Sequence, residues 1–186
     1  ADCGPAAVIF ISNRFAGQRE DDEEWWRNME KVMKALPADM PLGVYECPFP
    51  YKRLLSDDVV RRMCDNGRFH FVKDTCCDLE TLKRRAAIAK GSPLKIYNAN
   101  STTLLDSLKA GCYGFCGVMA SYQMKLYAWL CANVDDDRAR AVSDLLAITS
   151  LIERQYYPVN AKYYLREFEH LRLTDASRVK DPAGLT

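Results

Sequence analysis

Short apolar, β-prone runs recur along this chain at intervals of roughly 20 to 35 residues, with an amphipathic helical pattern between each pair. That alternation restricts the fold more than any other feature, because a strand followed by a crossover helix returns to a parallel neighbour. The runs fall at residues 6–12, 42–46, 69–73, 94–97 and 113–118, and they read as five strands of an α/β fold. Periodicity alone does not choose between a small doubly wound sheet and part of a barrel.

The clearest helix covers residues 22–36, where Trp25, Met29, Val32, Met33 and Leu36 share a face and Glu23, Glu24, Arg27, Lys31 and Lys34 lie mostly elsewhere. Others are expected over 56–66 with Ser56 as N-cap, over 78–90 capped by Asp78, and over 101–110 stopped by Gly111. Past the fifth strand the alternation ends. Residues 122–133, 136–155 and 160–171 read as successive helices, with Pro158 between the last two. The expected organisation is therefore a sheet region over 1–120, a helical extension over 121–174 and a loose tail over 175–186.

Composition removes several function classes. With 26 basic and 25 acidic side chains the net charge is +1, which gives no field to hold a nucleic acid. No apolar run approaches the roughly 18 residues that span a bilayer, and a cytoplasmic protein is expected. Ser12-Asn13-Arg14-Phe15-Ala16-Gly17 supplies no glycine-rich turn after the first strand, and no Walker-type loop occurs, which disfavours nucleotide binding. The cysteines at 3, 47, 64, 76, 77, 112, 116 and 131 are scattered through apolar segments and read as buried free thiols rather than disulfides. Only His70 and His170 accompany them and no Cys-x-x-Cys pair exists, so no metal is expected.

The chemically informative segment is Phe69-His70-Phe71-Val72-Lys73-Asp74-Thr75. As a regular strand it puts Phe69, Phe71 and Lys73 on one face, with an ammonium at the end of an apolar row. At the carboxyl end of a barrel strand such a lysine is desolvated and becomes a nucleophilic amine; the same spacing also fits a lysine that snorkels to solvent. One βα unit earlier, Gly43-Val44-Tyr45-Glu46-Cys47-Pro48 places Tyr45 at the corresponding height. Parallel strands lie about 5 Å apart, so a phenol there can pass protons to and from the amine. A strand tyrosine packed in a core fits equally.

This pair of segments resembles the dihydrodipicolinate synthase and N-acetylneuraminate lyase family of class I, Schiff-base-forming aldolases. Tyr45-Glu46-Cys47-Pro48 is similar to the family's Tyr-Asn-x-Pro motif, with Glu in place of Asn, and Phe71-Val72-Lys73-Asp74-Thr75 to its Schiff-base lysine motif. Gly111-Cys112-Tyr113-Gly114-Phe115-Cys116-Gly117 is similar to the glycine-rich element of the last barrel strand. The resemblance implies strands four to eight of a (β/α)8 TIM barrel followed by a helical extension, with the first three βα units not among these residues. It implies a lyase without cofactor, acting on pyruvate or a 2-oxo sugar acid through Lys73 and Tyr45, and assembling as a homo-dimer or tetramer. Cys116, Gly114, Asn98, Asn100 and Arg14 are the implied substrate-binding residues, although Asn98 and Asn100 also suit a loop and N-cap.

Two positions depart from the family. No tyrosine follows the first strand here, and Pro50 stands where the synthases carry a carboxylate-binding Arg; Lys52 and Arg53 are nearby cations that either substitute for it or face solvent. These departures support an alternative, a catalytically altered relative that serves as a binding or assembly protein. An unrelated doubly wound binding domain is the third reading, and it requires Lys73 and Tyr45 to lie far apart.

Overall fold

The computed structural model describes residues 4–185. Its strands are β1 (Val8–Ile11), β2 (Leu42–Tyr45), β3 (Phe69–Asp74), β4 (Lys95–Asn98) and β5 (Gly114–Phe115). All neighbours are parallel, and the order across the sheet is β1-β2-β3-β4-β5. A doubly wound sheet starts near its middle and reverses direction. The unbroken sequential order here is that of a (β/α) barrel wall, and the fold is α/β with a partial barrel of five strands.

The helices are α1 (Asp22–Lys34), α2 (Asp57–Asn66), α3 (Leu79–Ala89), α4 (Leu104–Lys109), α5 (Ala120–Ala132), α6 (Ala139–Thr149) and α7 (Val159–Glu167). Their starts follow from local chemistry. Asp21 accepts the Glu24 N–H at 2.9 Å, Ser56 that of Val59 at 3.2 Å and Asp78 that of Thr81 at 2.8 Å, each satisfying a donor the helix leaves free. Gly111, at φ 105°, lets the chain turn back after α4. That helix begins later than expected because residues 98–103 form a turn of their own, in which Asn100 Oδ1 accepts the Thr103 N–H at 3.1 Å.

One core lies between the sheet and α1–α3, with Leu42, Val44, Phe69 and Val72 packed against Trp25, Met29, Val60, Met63 and Leu82. The indole of Trp25 is fully buried and donates to the Ser12 carbonyl at 2.7 Å, so its burial leaves no polar group stranded. A second cluster gathers α4 to α7 around Leu104, Tyr127, Leu130 and Leu146. The segment after α7 is held by an Arg166–Asp175 ion pair of 2.6 Å and by Lys162 on the Ala176 carbonyl. The seven cysteines among the described residues are free, and Cys3 lies outside them. No helix is long and apolar enough to cross a membrane.

The alternation expected across residues 69–73 is broken. The register slips between Leu42 and Gly43, which pair with Phe69 and Phe71, so His70 is the extra residue of a bulge. Phe69 therefore turns into the helix-facing core beside Trp26, whereas Phe71 packs at a tilt against Tyr97, ring centres 4.8 Å apart, on the opposite face. Phe69 and Lys73 do not share a face. Beyond the bulge the register is regular, and Tyr45, Lys73 and Tyr97 fall in one row.

Gly43 sits where this row needs room: a Cβ there meets Ile9 Cδ1 at 2.6 Å and the Phe71 Cβ and carbonyl oxygen at 2.9 Å. Gly43→Ala should cost about 1–3 kcal/mol through overpacking against backbone. Urea denaturation checks it, and an unchanged midpoint contradicts the close approach.

Candidate active-site cleft

Tyr45 and Lys73 are direct register partners at the carboxyl ends of β2 and β3. Catalytic groups of barrels sit at this rim, because only there do strand ends meet loops that shape a cleft. The Lys73 Nζ lies 4.4 Å from the centre of the Tyr45 ring, over its electron-rich face. Among the described residues the amine makes no hydrogen bond to the Tyr45 hydroxyl. Burial first, then the neighbouring Cys47, Cys116 and Tyr157, push the Tyr45 phenol up to about 12. At neutral pH it is therefore a proton donor and acceptor in its neutral form. Both residues line a cleft of about 610 Å³, with Lys52, Thr75, Asn100, Gly117, Glu153 and Arg154 around it.

Directly after each of these residues comes a buried carboxylate. Glu46 and Asp74 are 0% and 1% exposed, and between them lies Arg85 of α3, also 1% exposed. Arg85 is 2.9 Å from Glu46 Oε1, binds Asp74 Oδ2, and donates to the Leu55 carbonyl. The Leu55 and Thr75 N–H groups donate to the two Glu46 oxygens at 2.8 and 2.9 Å, and the Cys76 N–H donates to Asp74 at 2.8 Å. Strand alternation explains the arrangement: when Tyr45 and Lys73 face the cleft, the residues after them face the helices. Burial lifts the proton affinity of Glu46, Arg85 draws it down, and the charge of Asp74 lifts it again, leaving it raised. Burial also opposes the charge on Arg85, but the two carboxylates outweigh it and its pKa rises.

The other residues singled out by sequence scatter around this centre. Cys116 follows β5 and belongs to the groups acting on the Tyr45 phenol. Gly114 lies against the Tyr97 ring, where a Cβ would sit 3.2 Å from it, while the glycine of that segment lining the cleft is Gly117. Asn100 lines the cleft. Asn98 is fully buried, and its amide donates to Thr103 at 2.9 Å and Ser107 at 3.0 Å, the loop role that its position also allowed. Arg14 is exposed and lies outside the cleft lining. Lys52 lines the cleft, whereas Arg53 is turned to α1, pairing with Asp22 at 2.9 Å. No group of three or more His, Cys, Asp or Glu among the described residues is placed to hold a metal ion.

Sequence reasoning missed Arg85 and Glu153. The signal for Arg85 was present: it interrupts the otherwise apolar face Leu82, Ala86 and Ala89 of α3, and a buried cation there requires anions. Glu153 had no such signal. It lies in the 3-10 turn Ser150–Arg154 after α6, and only the packing of the trailing helices carries it to the cleft.

A partial parallel barrel with an amine and a phenol at its carboxyl rim is the class that fold and site define. No family model matches the sequence, and no curated protein aligns with it. Solved structures do match, across most of the chain and at fold level. One is a chloride-inhibited dihydrodipicolinate synthase from Acinetobacter baumannii complexed with pyruvate, with a TM-score of 0.79, 20% identity and coverage of 96% of this chain and 61% of that one. Another is a monomeric dihydrodipicolinate synthase variant, with a TM-score of 0.76, 17% identity and coverage of 94% and 61%. A 2-keto 3-deoxygluconate aldolase from Picrophilus torridus gives 0.72 at 15% identity, with coverage of 91% and 61%. This chain thus spans about 61% of the length of these three structures, and over that span it has the fold of dihydrodipicolinate synthase family members.

Arg85→Met should remove about 3–5 kcal/mol of stability at neutral pH, because two buried carboxylates lose their cation. The pH dependence has a definite sign. Burial raises the folded-state proton affinity of Glu46, whose ordinary value is 4.5; the variant should be most stable below that value and lose stability as pH rises through the folded one. Urea titrations at acid and neutral pH read this out, and a variant as stable as the parent at neutral pH contradicts it.

Proposed function

We propose that this chain carries the catalytic rim of a class I, Schiff-base-forming lyase or aldolase acting on pyruvate or a related 2-oxo acid, including 2-oxo sugar acids. The observation that carries the reading is the register pairing of Tyr45 with Lys73 at the mouth of a 610 Å³ cleft. In this reading the free amine of Lys73 attacks the C2 carbonyl carbon. Tyr45 moves the proton from nitrogen to the new hydroxyl, and loss of water leaves an iminium that serves as an electron sink for carbon–carbon or carbon–oxygen cleavage. No cofactor is required for that chemistry. Lys52 and Arg154 supply cations for the substrate carboxylate, and Asn100 and Gly117 present amide and backbone groups to the rest of the molecule. The fold-level matches to a pyruvate-complexed synthase and an aldolase support the substrate class.

The alternative is a catalytically altered relative that binds or assembles without turnover. It draws support from the Lys73 amine resting on the Tyr45 ring rather than on its hydroxyl. Exposed Met124 (66%) and Phe168 (64%) on and beside the trailing helices support assembly as a homo-dimer or tetramer in either case.

Borohydride reduction in the presence of pyruvate separates the two readings. The lyase reading expects the substrate's mass on the Lys73 peptide, none in Lys73→Arg, and trapping slowed by about 10²-fold in Tyr45→Phe. Trapping at Lys52, or none at all, favours the altered relative.

A further inference from the structure

Glu153 is the only acidic side chain in the cleft lining, among the described residues, and it faces the same space as Lys73 and Tyr45. It is partly buried and makes no hydrogen bond or ion pair among the described residues. The other charged or titratable groups around that space are Lys52, Lys73, Arg154, Tyr45 and Cys77. Several carboxylates elsewhere on the chain pair with arginine, as Glu23 does with Arg62 and Asp106 with Arg140, whereas Glu153 faces the cleft. A carboxylate left unpaired in a cleft with three cations is a group held ready for a transient partner.

We propose that Glu153 is the acid and base of the carbon steps in this cleft. The assignment rests on the Schiff-base reading above and adds the group that completes it. In its acid form Glu153 gives a proton to the departing hydroxyl of the carbinolamine on Lys73. The C2–O pair leaves with the oxygen as water, and the nitrogen lone pair forms the C=N bond. The carboxylate so produced then removes a proton from C3 of the iminium. The C3–H pair becomes the C2=C3 bond of the enamine, the C=N π pair returns to nitrogen, and Glu153 is again the acid. One carboxyl group thus cycles with no net proton consumed.

Tyr45 is poorly suited to this second task. Its phenol, pushed up to about 12, is a weak acid toward a leaving hydroxyl and is almost never the phenolate that takes a carbon-bound proton. Burial raises the proton affinity of Glu153 above that of an ordinary carboxyl, against the pull of Arg154 and Lys73. Its place on the Ser150–Arg154 turn also means that the trailing helices, and not only the barrel strands, contribute to the chemistry.

The test follows the methyl protons of pyruvate by NMR in D2O, alongside borohydride trapping, with circular dichroism confirming that each variant melts as the parent does. The parent protein should trap pyruvate at Lys73 and exchange its methyl protons. Glu153→Gln should still reach the Lys73 adduct on long incubation but exchange about 10²-fold more slowly, and Glu153→Asp should recover part of the loss. Exchange by Glu153→Gln at the parent rate overturns the assignment. A parent that traps but does not exchange also overturns it and leaves the Schiff base standing. A parent that does neither overturns both.

Discussion

Everything at the rim of this sheet depends on one buried cation. Arg85 stands between Glu46 and Asp74, and its guanidinium supplies the positive charge that makes two adjacent carboxylates tolerable away from water. Because Glu46 follows Tyr45 and Asp74 follows Lys73, the same contact sets the ends of β2 and β3 relative to each other. The backbone donors of Leu55, Thr75 and Cys76 extend it into the loops that wall the cleft. A buried ion cluster of this kind contributes geometric definition more than net stability, since the desolvation of three charged groups consumes most of the Coulombic gain.

The two faces of the strands divide the work. Toward the helices lie apolar side chains that close the core and the carboxylates that Arg85 ties down. On the opposite face run Ile9, Gly43, Tyr45, Phe71, Lys73 and Tyr97, where tilted ring contacts, an ammonium over a ring and a close backbone approach replace dense aliphatic packing. The bulge at His70 makes the division possible, because it lets Phe69 serve the core while Phe71 and Lys73 serve the cleft.

Much of the fold was legible in the sequence because the signals are local. Strand and helix periods located all five strands, and Ser56, Asp78 and Gly111 marked helix boundaries where capping and left-handed backbone require them. The bulge was not legible, since Phe69 and Phe71 are equally apolar and the pattern gives no sign of which face each takes. The same limit applies to the site. Lys73 and Tyr45 could be paired from strand position alone, but position at a rim does not give direction. Asn98 turns into its own loop and Arg14 to solvent for reasons that lie in tertiary contacts. Glu153 reaches the cleft only through the packing of α6 and the turn after it.

The measurement that tests the account most directly is a crystal structure of the protein after reduction with borohydride in the presence of pyruvate. The account predicts continuous density from Lys73 Nζ to the former carbonyl carbon, with the Tyr45 hydroxyl within hydrogen-bond reach of the adduct and the Arg85 cluster undisturbed beneath it. Density on Lys52 instead, or an unmodified Lys73 extended into bulk solvent, contradicts it.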